Sequence, residues 1–522
     1  MPDHIYSKEE LIQRFDSILG KTFEEIDDIG MFEHVQEFNL QKGVAGSVVE
    51  QCVLRYPPDS KQEADLIVVE GGHEISTELK TTGMVIKDGR FVAKEPMSIT
   101  AVGVYELADQ SFEKSHFWDK LEHMLIVYYH YMSDKPVSPF EYRLFPVKGY
   151  EFHEFSEVEI ETLKNDWKYV YSLVKRVVDN HPGEHNAEWK EAVKQEYIDT
   201  HGELRRVLSY IDLAPKFPPR FRLKKPVVST MISQHFGYEL EQLPGRYTSV
   251  SDIDAKCREI TNKYKGKTVK ELGEIFGIET STENGSEKKG ITEQIIISMF
   301  GGTSKKLNQI ELFEKFGLIG KTIVTSSTGG RTEDMKLFHV DFDEFIRTEI
   351  MDENGVLRPF EFEDSELYSY FSEHEFLCII FQEPEEWVET FSGPDYRILG
   401  ASNSLNRNKF IGFKRLVFDE DFINSTVKKL WIDVRDKIMN NKLVDVVTYD
   451  KNGNPKRNNS GDISSAPNFM KSSQNTVFMR GSGTDSAMIH KTECVNGIKM
   501  LPQYVWIKGC AVVDELKKVM QI

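Results

Sequence analysis

The stretch that decides the fold runs from Gly43 to Thr82, GVAGSVVEQCVLRYPPDSKQEADLIVVEGGHEISTELKTT. Within it, ADLIVVE and EISTELKTT are β-rich runs on either side of Gly71-Gly72, which predicts a hairpin with a two-residue turn. Such a turn fixes the register: Glu70 faces His73, Val68 faces Ile75, and Asp65 faces Glu78. Facing residues of an antiparallel pair project to one side of the sheet with Cβ atoms about 4.5–5.5 Å apart. Alternation puts Lys80 on that side too. Upstream, Val44–Leu54 reads as a helix stopped by Pro57-Pro58. Glu50 lies on it about two turns beyond Gly43, where it can complete an acidic cluster.

Like charges placed opposite each other destabilise a sheet. A hard divalent cation with oxygen ligands offsets that repulsion, and Mg²⁺ typically takes one or two carboxylates, keeps several waters and sits against phosphate. On this reading Asp65 and Glu78 hold Mg²⁺, and Lys80 orients or deprotonates an attacking water. The metal stabilises charge on a scissile phosphate. The alternative is a solvated ion-pair face, because Glu-x-Lys recurs at Glu515-Leu516-Lys517 in what reads as a surface helix.

The chain has 522 residues, enough for at least two cores, with 39% apolar and 29% charged residues. It has no apolar run of about 18 residues, so a membrane span is not expected. Its start, MPDHIYSKEELIQRF, lacks the layout of a signal peptide. Five cysteines, far apart and without a CxxC pair, argue against a disulfide framework or a thiolate zinc site. A reducing cytoplasm is the expected location. The net charge of −19 opposes nucleic-acid binding by the chain as a whole, so local charge must carry any such function.

A helix is predicted over 8–20, with Ser7 as N-cap and Glu10 completing a capping box. Further helices are predicted over 111–133 and 158–180, a basic loop over 213–226 and a polar linker near 236–255. YYHYM (128–132) reads as core, and LYSYFSEHEFLCIIFQE (367–383) as a helix leading into a buried strand. The chain then begins again. LGKTFEEI (19–26) recurs as KGKTVKELGEIF (265–276), QKGVAGSVVEQ (41–51) in outline as KKGITEQIIISM (288–299), and Lys80 has a counterpart in Lys321. Three landmarks in one order predict a duplicated domain.

The run Lys42-Gly43, Glu50, Asp65, Glu78-Leu79-Lys80-Thr81 resembles the active site of the MutH mismatch-repair nuclease and the related GATC-cutting restriction endonucleases of the PD-(D/E)xK superfamily. The resemblance implies that Asp65 and Glu78 hold Mg²⁺ with the Leu79 carbonyl, that Lys80 serves the nucleophilic water, and that Glu50 supports the metal site. SKQEAD stands where the family has a proline before the aspartate, and the Asp65–Glu78 spacing is longer than usual. An even insertion lengthens both strands and leaves the two acids opposed. VIKDGRFVAKEPMSI (85–99) and 208–232 also resemble family segments.

The tandem layout resembles that of the larger, type IIE enzymes, whose second MutH-like domain binds effector DNA without cutting. A mixed α/β (α+β) fold is therefore expected, with two tandem restriction-endonuclease-like domains, each a mixed central sheet flanked by helices. The expected division is a catalytic domain at 1–240, a linker at 241–254 and a silent effector domain at 255–522. In the second copy Glu50 falls on Ile297, Glu78 on Ile319, and Asp65 near Lys306 or Asn308, so the metal-facing carboxylates are lost.

Residues 204–226 concentrate positive charge in an acidic chain, with Asp212 as their one acid. Lys216, Arg220, Arg222 and Lys224 are the candidates for phosphate and guanine-edge contacts. Arg480, in TVFMRGSGTDS (476–486), takes the family's basic position in the second copy. The segment between LAP and the F-x-L-K run is shorter than in the relatives, so the target bases are less legible than the chemistry. The expected function is a type II restriction endonuclease hydrolysing double-stranded DNA with Mg²⁺, GATC being the leading target. It would bind two DNA sites at once, as a monomer that dimerises on DNA. The rivals are a non-catalytic DNA-binding or regulatory protein and a MutH-like strand-nicking repair enzyme.

Overall fold

The computed structural model describes residues 4–34, 43–56, 64–87, 89–133, 137–213, 217–282, 288, 290–326, 328–331, 333–351, 357–384, 405–458 and 460–518. The chain divides into two compact units. One comprises Met1–Asp254, Asn308–Gly317 and Met351–Arg358; the other comprises Ala255–Leu307, Leu318–Ile350 and Pro359–Ile522. No described helix is long and apolar enough to cross a membrane.

In the first unit, β1 (Ile5–Ser7) lies parallel to β2 (Leu66–Glu70), and β2 pairs antiparallel with β3 (His73–Lys87). The turn between them has Gly71 at φ 58° and Gly72 at φ 85°. Both are left-handed, which glycine adopts without cost and which a tight hairpin matching strand twist requires. Val68 faces Ile75 and Glu70 faces His73, the predicted register. β4 (Arg90–Ala93) folds back on the far end of β3, and β5 (Met97–Ala101) leaves the sheet. β6 (Met124–His130) then lies parallel to β3, and β7 (Val147–His153) antiparallel to β6. The result is a mixed central sheet, β1-β2-β3-β6-β7. The helices Lys8–Asp16 and Val44–Val48 press Leu11, Phe15, Val44 and Val48 into a core with Leu79 and Val127.

Three local expectations need correction. The predicted helix over 111–133 is a short helix at His116–Asp119 followed by β6. Leu125, Ile126, Val127 and Tyr128 are all fully buried, and a central strand covered on both faces loses the alternation that marks a strand. The basic loop over 213–226 contains β9 (Arg220–Leu223), which pairs with β5 and β8 (Ile211–Leu213), and the start of the helix Lys225–His235. The first helix stops at Asp16; Ser7 caps it, but the Glu10 side chain pairs with Arg14 rather than closing a box. The helix predicted over 158–180 spans Glu157–Asp179, and the 367–383 segment is the helix Glu366–Glu373 followed by the strand Glu375–Gln382.

The second unit repeats this plan. Its strand Leu318–Thr325 lies parallel to Glu375–Gln382, which pairs antiparallel with Lys409–Leu416, as β3, β6 and β7 do. Each central strand meets an irregularity at the same place. Tyr128 faces Gly149 just before the shift in one unit, and Ile380 faces Gly412 just before it in the other. Tyr128 also pairs with Thr82, and Ile380 with Ile323. Counting back two residues from each puts Lys321 in the place of Lys80, and four puts Ile319 in the place of Glu78. The approach to the sheet repeats too. Gly20 N–H donates to the Val147 carbonyl and Gly266 N–H to that of Phe410, both at 2.8 Å, and Thr22/Glu25 and Thr268/Glu271 form matching capping boxes.

A small second sheet recurs as well. Leu223 pairs with Ile211 and Met97, and Ile507 pairs with Val477 and Met335. In this register Arg222, Asp212 and Ser98 correspond to Trp506, Phe478 and Lys336. Arg480 stands across from Tyr504, the counterpart of Arg220, and not at the place of an arginine of the first unit.

The buried carboxylate of Asp166, on the helix Glu157–Asp179, fastens that second sheet in the first unit. It accepts from the backbone N–H groups of Ser209 (2.8 Å), Tyr210 (2.6 Å) and Ile211 (2.8 Å). Burial raises its pKa to about 6 although these donors and Lys224 pull the other way. Asp166→Ala strands three buried donors at about 1–3 kcal/mol each. The variant is expected to lose several kcal/mol in urea unfolding, whereas Asp166→Asn, which keeps an acceptor oxygen, loses much less.

Candidate active site

The hairpin delivers what its register promised. Asp65 sits immediately before β2, one step beyond the Leu66–Thr77 pair, and so stands opposite Glu78. Its Oδ2 accepts from the Leu79 backbone N–H at 2.9 Å, which locks the carboxylate over β3. Glu78, only 4% exposed, carries an ion pair on each oxygen: Lys80 Nζ lies 2.6 Å from Oε1 and Lys120 Nζ 2.7 Å from Oε2. Sequence reasoning missed Lys120. It follows the short helix His116–Asp119, inside the stretch read as one long helix, and only the parallel placement of β6 beside β3 carries it to Glu78.

Glu50 belongs to the same region. The expected helix is α-helical over Val44–Val48 and widens into a π-turn over Val49–Leu54 that carries Glu50. The Glu50 carbonyl accepts from Tyr56 N–H at 3.1 Å. The second unit makes the same closing bond, Gly302 N–H to the Ile297 carbonyl at 2.9 Å, one residue shorter. A π-turn is a one-residue insertion in a helix and is frequent at functional sites. Glu50 therefore corresponds to Ile297, which is fully buried, and Tyr56 to Gly302.

Burial dominates the electrostatics of Asp65. Burial, and then the charge of Glu78, push the Asp65 carboxyl up to about 6, against the pull of the Leu79 N–H, Lys80 and Lys120. Two crowded carboxylates fit the donor chemistry of a hard cation such as Mg²⁺. Among the described residues no group of three or more His, Cys, Asp or Glu side chains is placed to hold a metal. Any such ion would therefore have Asp65 and Glu78 as its side-chain ligands, and would share Glu78 with its two lysines. In the second unit Lys321 keeps the lysine position but donates to the Lys336 carbonyl at 2.9 Å. Residues 305–309, where the counterpart of Asp65 was expected, form a bend and a short 3₁₀ turn with no hairpin.

The predicted DNA-contacting residues are already engaged. Arg222 pairs with Asp212, Arg220 Nε donates to Ser98 Oγ at 3.1 Å, and Lys224 Nζ donates to the Leu208 carbonyl at 2.6 Å. Arg480 lies 3.0 Å from Asp334 and 3.9 Å over the Trp506 ring. Lys216 and Lys42 lie outside the described residues. Arg220 and Arg222 remain partly exposed on β9, whereas Lys224 serves the backbone.

Two outcomes test this geometry in metal-free protein. The folded-state pKa of Asp65 lies above its ordinary value, so the folded state holds a proton that the unfolded state releases. Stability then falls as pH rises from about 4 to about 6, by up to about 3 kcal/mol. Asp65→Asn is expected to remove this slope and to stabilise the metal-free protein at pH 7, read as urea midpoints against pH. Lys120→Ala leaves one oxygen of a buried carboxylate without its counter-charge and is expected to cost about 3–5 kcal/mol, measured in the same titration.

Residues 54–166, which span Asp65, Glu78, Lys80 and Lys120, match the family model described as DNA mismatch repair enzyme MutH. The chain is also 22% identical over 381 residues to the type II restriction enzyme Sau3AI of Staphylococcus aureus, covering 70% of this chain and 69% of that protein. The acidic hairpin thus lies within a MutH-like domain, and the chain is related to the type II restriction endonucleases.

Proposed function

We propose that the first unit is a site-specific, Mg²⁺-dependent endonuclease that hydrolyses phosphodiester bonds in double-stranded DNA. The observation that carries this reading is the convergence of Asp65, Glu78, Lys80 and Lys120 at one end of the hairpin, inside the segment that matches MutH. When bound, Mg²⁺ supplies electrophilic stabilisation of the phosphate and a more acidic water. The chain's own groups do the rest. Asp65 and Glu78, with the Leu79 carbonyl, would form the oxygen face that holds the cation. Glu50 supports that site from the π-turn without being one of the side-chain ligands. Lys80 hydrogen-bonds the attacking water and orients it in line with the scissile bond, and Lys120 holds the Glu78 carboxylate in place.

The second unit keeps the fold and has Ile297 and Ile319 where the first has Glu50 and Glu78. We read it as a module that binds a second duplex without cutting, and GATC as the target, by similarity to the restriction enzymes. Plasmid incubated with the protein and Mg²⁺ is expected to give discrete fragments whose mapped ends fall at GATC. Asp65→Ala and Glu78→Gln are expected to slow cutting by at least about 10²-fold. An Asp65→Ala variant that digests DNA as fast as the parent would sink the nuclease reading, and ends elsewhere would sink the target. A one-site substrate should be cut faster when a second specific duplex is added in trans. If that duplex has no effect, the effector role fails while the nuclease stands.

A further inference from the structure

One buried polar atom beside the acidic hairpin has no partner among the described residues. The Tyr56 hydroxyl is buried, on a side chain only 5% exposed, and no hydrogen-bonding group among the described residues meets it. Leaving a buried hydroxyl unpaired is costly, so such an atom calls for an explanation. Everything else about Tyr56 is fastened. Its backbone N–H donates to the Glu50 carbonyl at 3.1 Å, and its ring stacks on His4 with centroids 4.1 Å apart. The His4 Nδ1 in turn lies 3.0 Å from the Asp65 carbonyl. Tyr56 is thus tied through its backbone to Glu50 and through His4 to Asp65, the residues that carry the carboxylates of the helix and the hairpin, and the charges of Glu50, Asp65 and Glu78 act on its hydroxyl.

The internal repeat points the same way. The second unit reproduces the bond that closes the helix, yet it has Gly302 where the first has Tyr56, Ile297 for Glu50 and Ile319 for Glu78. Tyr56 accompanies the carboxylates. A tyrosine needed only for the fold would serve both copies of that fold. A phenol oxygen that keeps its proton is a donor, and the carboxylates whose charges act on it, those of Glu50, Asp65 and Glu78, are acceptors. A water between them has the two or more polar partners that an ordered buried water requires.

We propose that Tyr56 is a positioning residue of the acidic site. Its hydroxyl donates to an ordered water shared with the carboxylates of Glu50 and Asp65, and so sets how those carboxylates face the reacting phosphate. Its effect on cutting rests on the nuclease reading; its effect on the protein alone does not.

Tyr56→Phe keeps the ring on His4 and removes only the oxygen. In full-length protein with EDTA, the variant is expected to melt about 2–4 °C lower than the parent, because a bridged hydroxyl contributes to stability. In Mg²⁺, with a duplex carrying the cut site, kcat is expected to fall about 10–100-fold with KM unchanged. A melting temperature equal to or above the parent's overturns the proposal, since an orphan hydroxyl is no loss. So does a parental kcat. If the parent itself cuts no DNA, the nuclease reading falls, and the melting comparison alone decides on Tyr56.

Discussion

Two carboxylates that ought to repel are held face to face, and the first unit is arranged around that fact. Asp65 is tied down by a backbone amide and Glu78 is gripped by two lysines. Each constraint belongs to a different part of the fold. The glycine turn sets the register, β3 supplies Lys80 two residues from Glu78, and the parallel neighbour β6 brings Lys120 from 42 residues away. Even with both ammonium groups present, burial and the charge of Glu78 hold the Asp65 pKa above its ordinary value.

The comparison between the two units sharpens this picture. They share the parallel-then-antiparallel core, the irregularity in its central strand, the capping boxes and the register of the small second sheet. They differ where chemistry would occur. The first inserts a residue to make a π-turn at Glu50, whereas the second closes a regular helix. The lysine persists as Lys321 but its ammonium turns to a main-chain carbonyl. On the small sheet an arginine–aspartate pair gives way to an indole with an arginine laid over it. One scaffold carries two surfaces, and an overall charge of −19 is no guide to either.

Much of the site was legible because it is local. A two-residue turn between two strands leaves a single register, so Asp65, Glu78 and Lys80 could be placed on one face by counting. The repeat was legible for the same reason: Lys321 and Ile319 stand at the positions that alignment gave them. Where prediction failed, burial had erased the signal. β6 is apolar on both faces and reads equally well as helix. β9 is a strand with arginines on its partly exposed face, so its charge resembled that of a loop.

The amino-acid sequence by itself determined the hairpin, its register and the identity of three converging side chains, because these depend on neighbours along the chain. The tertiary structure alone decided that Lys120 grips Glu78, that Asp166 fastens a sheet more than forty residues away, and that the predicted arginines are already engaged. Those contacts depend on which strands lie side by side, and sheet pairing between distant segments leaves no periodicity in the sequence from which to count.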